Sequence, residues 1–122
     1  MRLSEQLRLS HTILRVEGNL KVGETADTFR DRIQGIAAKG GGALILDLEA
    51  LEYVDSTGVG VLVGALKNFQ AVNRQILLAA PQRRVLAGLR VTHLDTLFKI
   101  YTSLGEALTS LADLDEATPG GR

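Results

Sequence analysis

The sequence predicts an α/β fold, a sheet of buried strands covered by helices. Two short aliphatic runs carry the β part: Ala43-Leu44-Ile45-Leu46-Asp47-Leu48, bounded upstream by Gly40-Gly41-Gly42, and Gln75-Ile76-Leu77-Leu78-Ala79-Ala80, ended by Pro81. Helical spacing carries the α part. Ala26, Phe29, Ile33, Ile36 and Ala37 recur three or four residues apart, and so do Val59, Leu62, Val63 and Leu66. The period changes at Asp55-Ser56-Thr57, which therefore sits where a strand hands over to a helix. Such alternation favours a sheet covered by helices, and no internal repeat is visible.

In chain order, Leu7-Arg8-Leu9-Ser10 and Thr12 to Glu17 alternate imperfectly, as half-buried strands do, with His11 as the tight connection of a hairpin. Gly18-Asn19-Leu20 closes the second strand with turn-forming residues. Glu24 to Lys39 is a helix, capped by Lys39-Gly40-Gly41-Gly42; without the Lys-Ser/Thr pair and spacing of a nucleotide loop, these glycines are not a phosphate cradle. After the strand Ala43 to Leu48 comes a connector containing Tyr53-Val54, then a helix from Asp55 to about Asn73. The strand Gln75 to Ala80 is followed by a helix over Gln82 to Leu89, a loop through Arg90 to Leu94, and a short strand from Leu97 to Tyr101. Ser103 with Glu106 three residues later is a capping box that starts a last helix to Leu111.

Length and composition predict one domain over residues 1–112, large enough for a core without staples. The tail 113–122, with Thr118-Pro119-Gly120-Gly121, lacks apolar periodicity and is expected to be frayed or disordered. Fourteen basic residues balance fourteen acidic ones, so no net charge draws the chain to nucleic acid or an anionic membrane. No apolar run approaches the length of a membrane span, no secretory signal core is present, and there is no cysteine; the expectation is a soluble, cytoplasmic protein without membrane insertion. With two histidines and no cysteine, neither a metal cluster nor a thiol nucleophile can be assembled. His11 and His93 are expected to pack in turns or loops. Ser56 lacks the flanking glycines of a nucleophile elbow, and Asp47, Glu49, Glu52 and Asp55 read as solvated charges of a connector. The expectation is a binding module that another enzyme modifies: no catalysis, no cofactor, no metal.

Asp55, Ser56 and Thr57 are all good helix N-caps, so a hydroxyl here stands at the positive end of a helix dipole. A phosphate added to it would be expected to find free N–H donors. The stretch Asp55-Ser56-Thr57-Gly58-Val59-Gly60, preceded by a strand ending in Asp47-Leu48 and by Tyr53-Val54, resembles the signature of the STAS domain family. It is most similar to that of the bacterial anti-sigma factor antagonists, which reads Asp-Ser-Ser/Thr-Gly-Leu-Gly. The order and spacing of elements match from about Leu7 to Leu111.

The resemblance implies a mixed sheet of four to five strands covered by about four helices, largely on one face. It also implies a partner switch, in which the unmodified protein binds an anti-sigma factor serine kinase of the histidine-kinase-like ATPase type and so frees a sigma factor. Phosphorylation of Ser56, with Thr57 as the alternative acceptor, would end that interaction. A second reading is a constitutive subunit of a lipid-transport ABC complex, docking the same helix face without phosphorylation. The expected partner-binding residues are Asn19, Lys21, Asp55, Ser56, Thr57, Gly58, Gly60, Val61, Gly64 and Ala65. Lys21 departs from the resembled family, in which the matching place is often acidic. Gly60 and Gly64 lie four apart inside a helix, where each costs about 1 kcal/mol relative to alanine; either a partner or the chain's own sheet approaches them. Val61, Ala65 and the glycine face are expected to form a flat apolar docking surface.

Overall fold

The computed structural model describes residues 1–117, with side chains as far as Ala112. The elements run β1 (Arg2–Arg8), β2 (His11–Leu20), α1 (Glu24–Lys39), β3 (Leu44–Asp47), β4 (Leu51–Val54), α2 (Ser56–Ala71), β5 (Ile76–Ala79), α3 (Arg83–Val91), β6 (Lys99–Tyr101) and α4 (Leu104–Ala117), with a 3-10 turn at Leu94–Thr96. The expected α/β class holds: a mixed sheet lies under α1, α2 and α3 on one face and α4 on the other.

The sheet has six strands rather than four or five, because Leu51–Val54, expected to be a connector, pairs with β2. β2 is the longest strand and serves three neighbours. Antiparallel β1 covers one edge. On the other edge, Thr12–Arg15 pair in parallel with β3 and Gly18–Leu20 with β4, across a bulge between Gly18 and Asn19. β5 and β6 continue the sheet beyond β3, all parallel.

The hairpin differs from expectation. Its turn is Leu9-Ser10 and its first strand starts at Arg2, while His11 opens β2 and is buried, its Nδ1 accepting from the Ala43 N–H at 3.0 Å. Arg2–Arg8 has little apolar alternation of its own; pairing with β2 makes it a strand. Asp47 likewise is no solvated connector residue: it ends β3, is 6% exposed, and accepts from Arg15 Nη1 at 3.1 Å. α4 continues to Ala117, past the expected end at Leu111 and into the expected tail. Residues 118–122 of that tail lie outside the described residues.

The two sheet faces alternate as the pleat requires. Leu14, Val16, Leu44, Leu46, Ile76 and Leu78 meet Phe29, Ile33, Leu62, Phe69 and Leu89 from α1 to α3. Ile13, Ile45, Leu77 and Ala79 meet Ala107 and Leu111 of α4. The ends are closed by side chains. Arg74 donates to the carbonyls of Gly42 (2.9 Å) and Ala37 (3.2 Å), capping the C-terminus of α1, and lies 4.5 Å over the Phe69 ring. Ser103 Oγ accepts from the Glu106 N–H while Glu106 accepts from the Thr102 N–H, so the expected capping box forms with its return arm on Thr102.

Candidate functional site

Four backbone segments converge at the start of α2. Asp55, extended at φ −95°, is the N-cap, and its Oδ1 accepts from the Gly58 N–H at 2.9 Å. Its other oxygen, Oδ2, accepts from the Val22 N–H at 2.8 Å, and its own N–H donates to the Leu20 carbonyl at 3.1 Å. One side chain therefore ties the turn after β2 to the first turn of α2. The turn is closed from its other side by Thr25, whose Oγ1 accepts from the Lys21 N–H at 3.0 Å and whose hydroxyl donates to the Lys21 carbonyl at 2.8 Å.

These N–H donors, Val22 first and Gly58 second, hold the Asp55 carboxyl below its ordinary range. Asp55 is thus anionic under all ordinary conditions. Because its folded value lies below its unfolded one, its contribution to stability is fully present above about pH 4 and is lost as pH falls through the lowered folded value. Asn at this position keeps one acceptor but turns an amide toward the Val22 N–H. Asp55→Asn should therefore melt earlier than the native protein at neutral pH, and the two curves should converge as the pH falls through the lowered folded value of Asp55.

Ser56 is exposed and opens α2, whereas Thr57 beside it is half-buried. The expectation that a phosphate here meets several free N–H groups is narrowed: the Gly58 N–H of the first turn is already held by Asp55 Oδ1 at 2.9 Å, and the Val59 N–H makes the first helical bond, to the Asp55 carbonyl at 2.9 Å. Ser56 follows the cap rather than forming it.

Of the remaining expected residues, Asn19 and Lys21 are exposed at the same end of the sheet, Asn19 in register with Tyr53. Gly58 is buried. A Cβ there would lie 2.7 Å from Val54 Cγ2, 2.8 Å from Leu20 Cγ and 2.9 Å from the Leu20 carbonyl oxygen, so this glycine serves internal packing. At Gly60 and Gly64 a Cβ would meet nothing within 4 Å, which places both on the open side of the helix. Val61 and Ala65 do not form a flat apolar surface: both are turned into the core, 6% and 5% exposed, because α1 packs against this flank of α2. They floor a groove of about 310 Å³ between the helices, with Arg30 and Gln34 on one wall and Gly60, Gly64 and Lys67 on the other.

Gly60→Ala and Gly64→Ala should each raise stability by about 0.5–1 kcal/mol, since alanine restricts the unfolded chain and touches nothing. Denaturant titration checks this, and a loss of stability would mean that the helix packs closer than its geometry allows.

Two exposed residues beside the site escaped sequence reasoning. Val22, 69% exposed, follows Lys21 in the turn held by Asp55, and Tyr53, 46% exposed, stands on β4. Tyr53 was legible only as part of a connector; the strand pairing that sets it beside Asn19 has no local signature. Among the described residues no group of His, Asp and Glu could hold a metal ion, and no helix is long and apolar enough to cross a membrane.

Comparison with known proteins bears on this geometry. A Thermotoga neapolitana protein described as a candidate anti-sigma factor antagonist is 39% identical over 70 residues, covering 57% of this chain and 62% of that protein; the chain thus spans less than two thirds of this relative. The anti-sigma-B factor antagonist of Listeria monocytogenes is 30% identical over 82 residues, covering 67% of this chain and 72% of that protein. A crystal structure of a candidate anti-sigma factor antagonist from Thermotoga maritima superposes with a TM-score of 0.83 at 28% identity, covering 88% of this chain and 92% of that one. The family model described as the STAS domain matches residues 4–107, nearly the whole described fold, and the chain belongs to the STAS domain family.

Proposed function

We propose that this protein is an anti-sigma factor antagonist that switches partners through phosphorylation of Ser56. The observation that carries the reading is an exposed serine directly after an anionic N-cap, on a junction pinned by three hydrogen bonds. The acceptor is Ser56 rather than Thr57, whose side chain is partly enclosed. A phosphate at Ser56 would carry about −1.5 to −2 charge. Asp55 already holds the Gly58 amide and is itself negative, which favours a phosphate that projects into solvent over one folded back onto the helix terminus. Two adjacent anionic groups would then stand on the surface that the partner must desolvate.

The partner in this reading is an anti-sigma factor serine kinase of the histidine-kinase-like ATPase type, which docks on the exposed end of the sheet at Asn19, Lys21 and Ser56 and along the glycine face of α2. Lys21 would attract the phosphate, where the family's acidic residue would repel it. Lys21→Asp should change the rate of Ser56 phosphorylation by the cognate kinase several-fold; an unchanged rate would remove this turn from the interface.

The central test compares binding of the purified kinase by unmodified protein and by protein phosphorylated enzymatically at Ser56, with the site verified by mass. Loss of binding on phosphorylation supports the switch. Equal affinity overturns it and favours the constitutive subunit of a lipid-transport ABC complex.

A further inference from the structure

We propose that the outer edge of β1 is a self-association surface, on which β1 of a second copy pairs antiparallel to continue the sheet. The hydrogen-bond parity of the hairpin is the starting point. Arg8 and His11 flank a two-residue turn, and the Thr12 N–H donates away from β1, to the Ala43 carbonyl at 3.0 Å. The Gly18 N–H likewise donates to Ala50 on the β4 side. Even-numbered residues of β2 therefore bond away from β1, and their partners Leu3, Glu5 and Leu7 turn their own N–H and C=O groups outward. Among the described residues no strand receives them.

Such an edge is ordinarily blunted by proline, by a bulge or by unpaired charge. β1 has no proline, and its register with β2 is unbroken over seven residues. Its charges are Arg2 and Arg8 at the two ends of the strand, which leave the middle of the edge open, and Glu5, which is compensated within the chain by Arg32 at 3.4 Å and Lys39 at 3.9 Å. The apolar side chains at the edge are instead exposed: Leu7 at 71% and Leu9 at 87%. Leu9 also has φ 55°, a left-handed conformation in which glycine or asparagine would be less strained than an exposed leucine.

Self-pairing in one register accounts for both leucines. With Gln6 at the two-fold axis, residues of equal parity meet, as continuous sheet faces require. Each Glu5 exchanges its outward N–H and C=O with Leu7 of the second copy, Ser4 faces Arg8, and Leu3 faces Leu9. No like charges are directly opposed. The register centred on Glu5 would set the two Glu5 carboxylates against each other and Arg2 against Arg8. A contact limited to one short strand and a turn lies at the small end of specific interfaces, so the dimer forms at high protein concentration or on a scaffold that raises it locally.

Sedimentation equilibrium from about 5 µM to about 1 mM should show the mean mass rising toward that of a dimer. Over the same range, amide exchange should slow at Glu5 and Leu7. Leu7→Pro removes an outward N–H while keeping the bonds to β2, and should leave the circular dichroism near native and abolish association. If that variant unfolds, Gln6→Lys, which opposes two lysines at the axis on an exposed position, should weaken association at least tenfold. A monomer at every concentration, or a dimer indifferent to the tolerated variant, overturns the proposal.

Discussion

Gly58→Ala should destabilise the domain by about 2–3 kcal/mol, lowering the melting temperature on the order of 10 °C. Alanine is a better helix former than glycine, so propensity alone would stabilise. Sterics decide the sign. The added methyl would lie 2.9 Å from the Leu20 carbonyl oxygen, which cannot rotate away because it accepts from the Asp55 N–H, and 2.8 and 2.7 Å from the side chains of Leu20 and Val54. Relief would require α2 to lift from β2 and β4, weakening the Asp55 bonds to Val22 and Gly58. Gly60→Ala is the control, the same chemical change two residues along the helix with open space around it. Urea titrations of the two variants should move in opposite directions. A Gly58→Ala protein as stable as the native one would show that the junction is looser than described.

Phosphorylation of Ser56 should weaken binding of the cognate kinase by about 100-fold or more, with near-native circular dichroism. Juxtaposing uncompensated charge at a closed interface costs several kcal/mol, and 1.4 kcal/mol is a factor of ten. The folded domain should tolerate the group because Ser56 is exposed and its hydroxyl makes no hydrogen bond among the described residues. Ser56→Ala should bind as the unmodified protein does. Ser56→Asp, with one charge and fewer acceptor oxygens, should lose about tenfold. Calorimetric titration of all four forms separates a charge effect from a packing effect. If Ser56→Ala weakened binding as much as the phosphate did, the hydroxyl itself would be the contact and charge would not be the cause.

The parts of this molecule legible in the sequence are those whose cause is local. α1 lies at its expected bounds because apolar period and glycine stop agree, and β3 and β5 because short aliphatic runs have few alternatives. The strand-to-helix junction at Asp55 was legible for the same reason, since capping chemistry spans only four residues. β1 and β4 were misplaced or missed because their strand character comes from β2, a neighbour in space. Burial divides the helix residues in the same way. Periodicity identified an apolar stripe on α2, but whether Val61 and Ala65 face a partner or α1 depends on the packing of two helices, and α1 occupies that side. One of the free N–H groups expected at Ser56, that of Gly58, is likewise claimed by a residue whose second oxygen reaches across to Val22.

That reach from Asp55 to Val22 bears on when the protein can first act during its synthesis. The two halves of the site come from the turn after β2 and from the start of α2, and they meet only once β4 has paired in parallel with β2. Parallel pairing needs the intervening crossover, here α1 and β3, to be in place, so the contact cannot form in a short nascent segment. A chain still emerging from the ribosome would hold the Lys21 turn through Thr25 alone, and a truncated product ending before Asp55 would lack the Val22 anchor altogether. If the proposed partner docks here, its capture would require a chain folded at least through the start of α2, and shorter fragments left by incomplete translation or proteolysis would not compete for it.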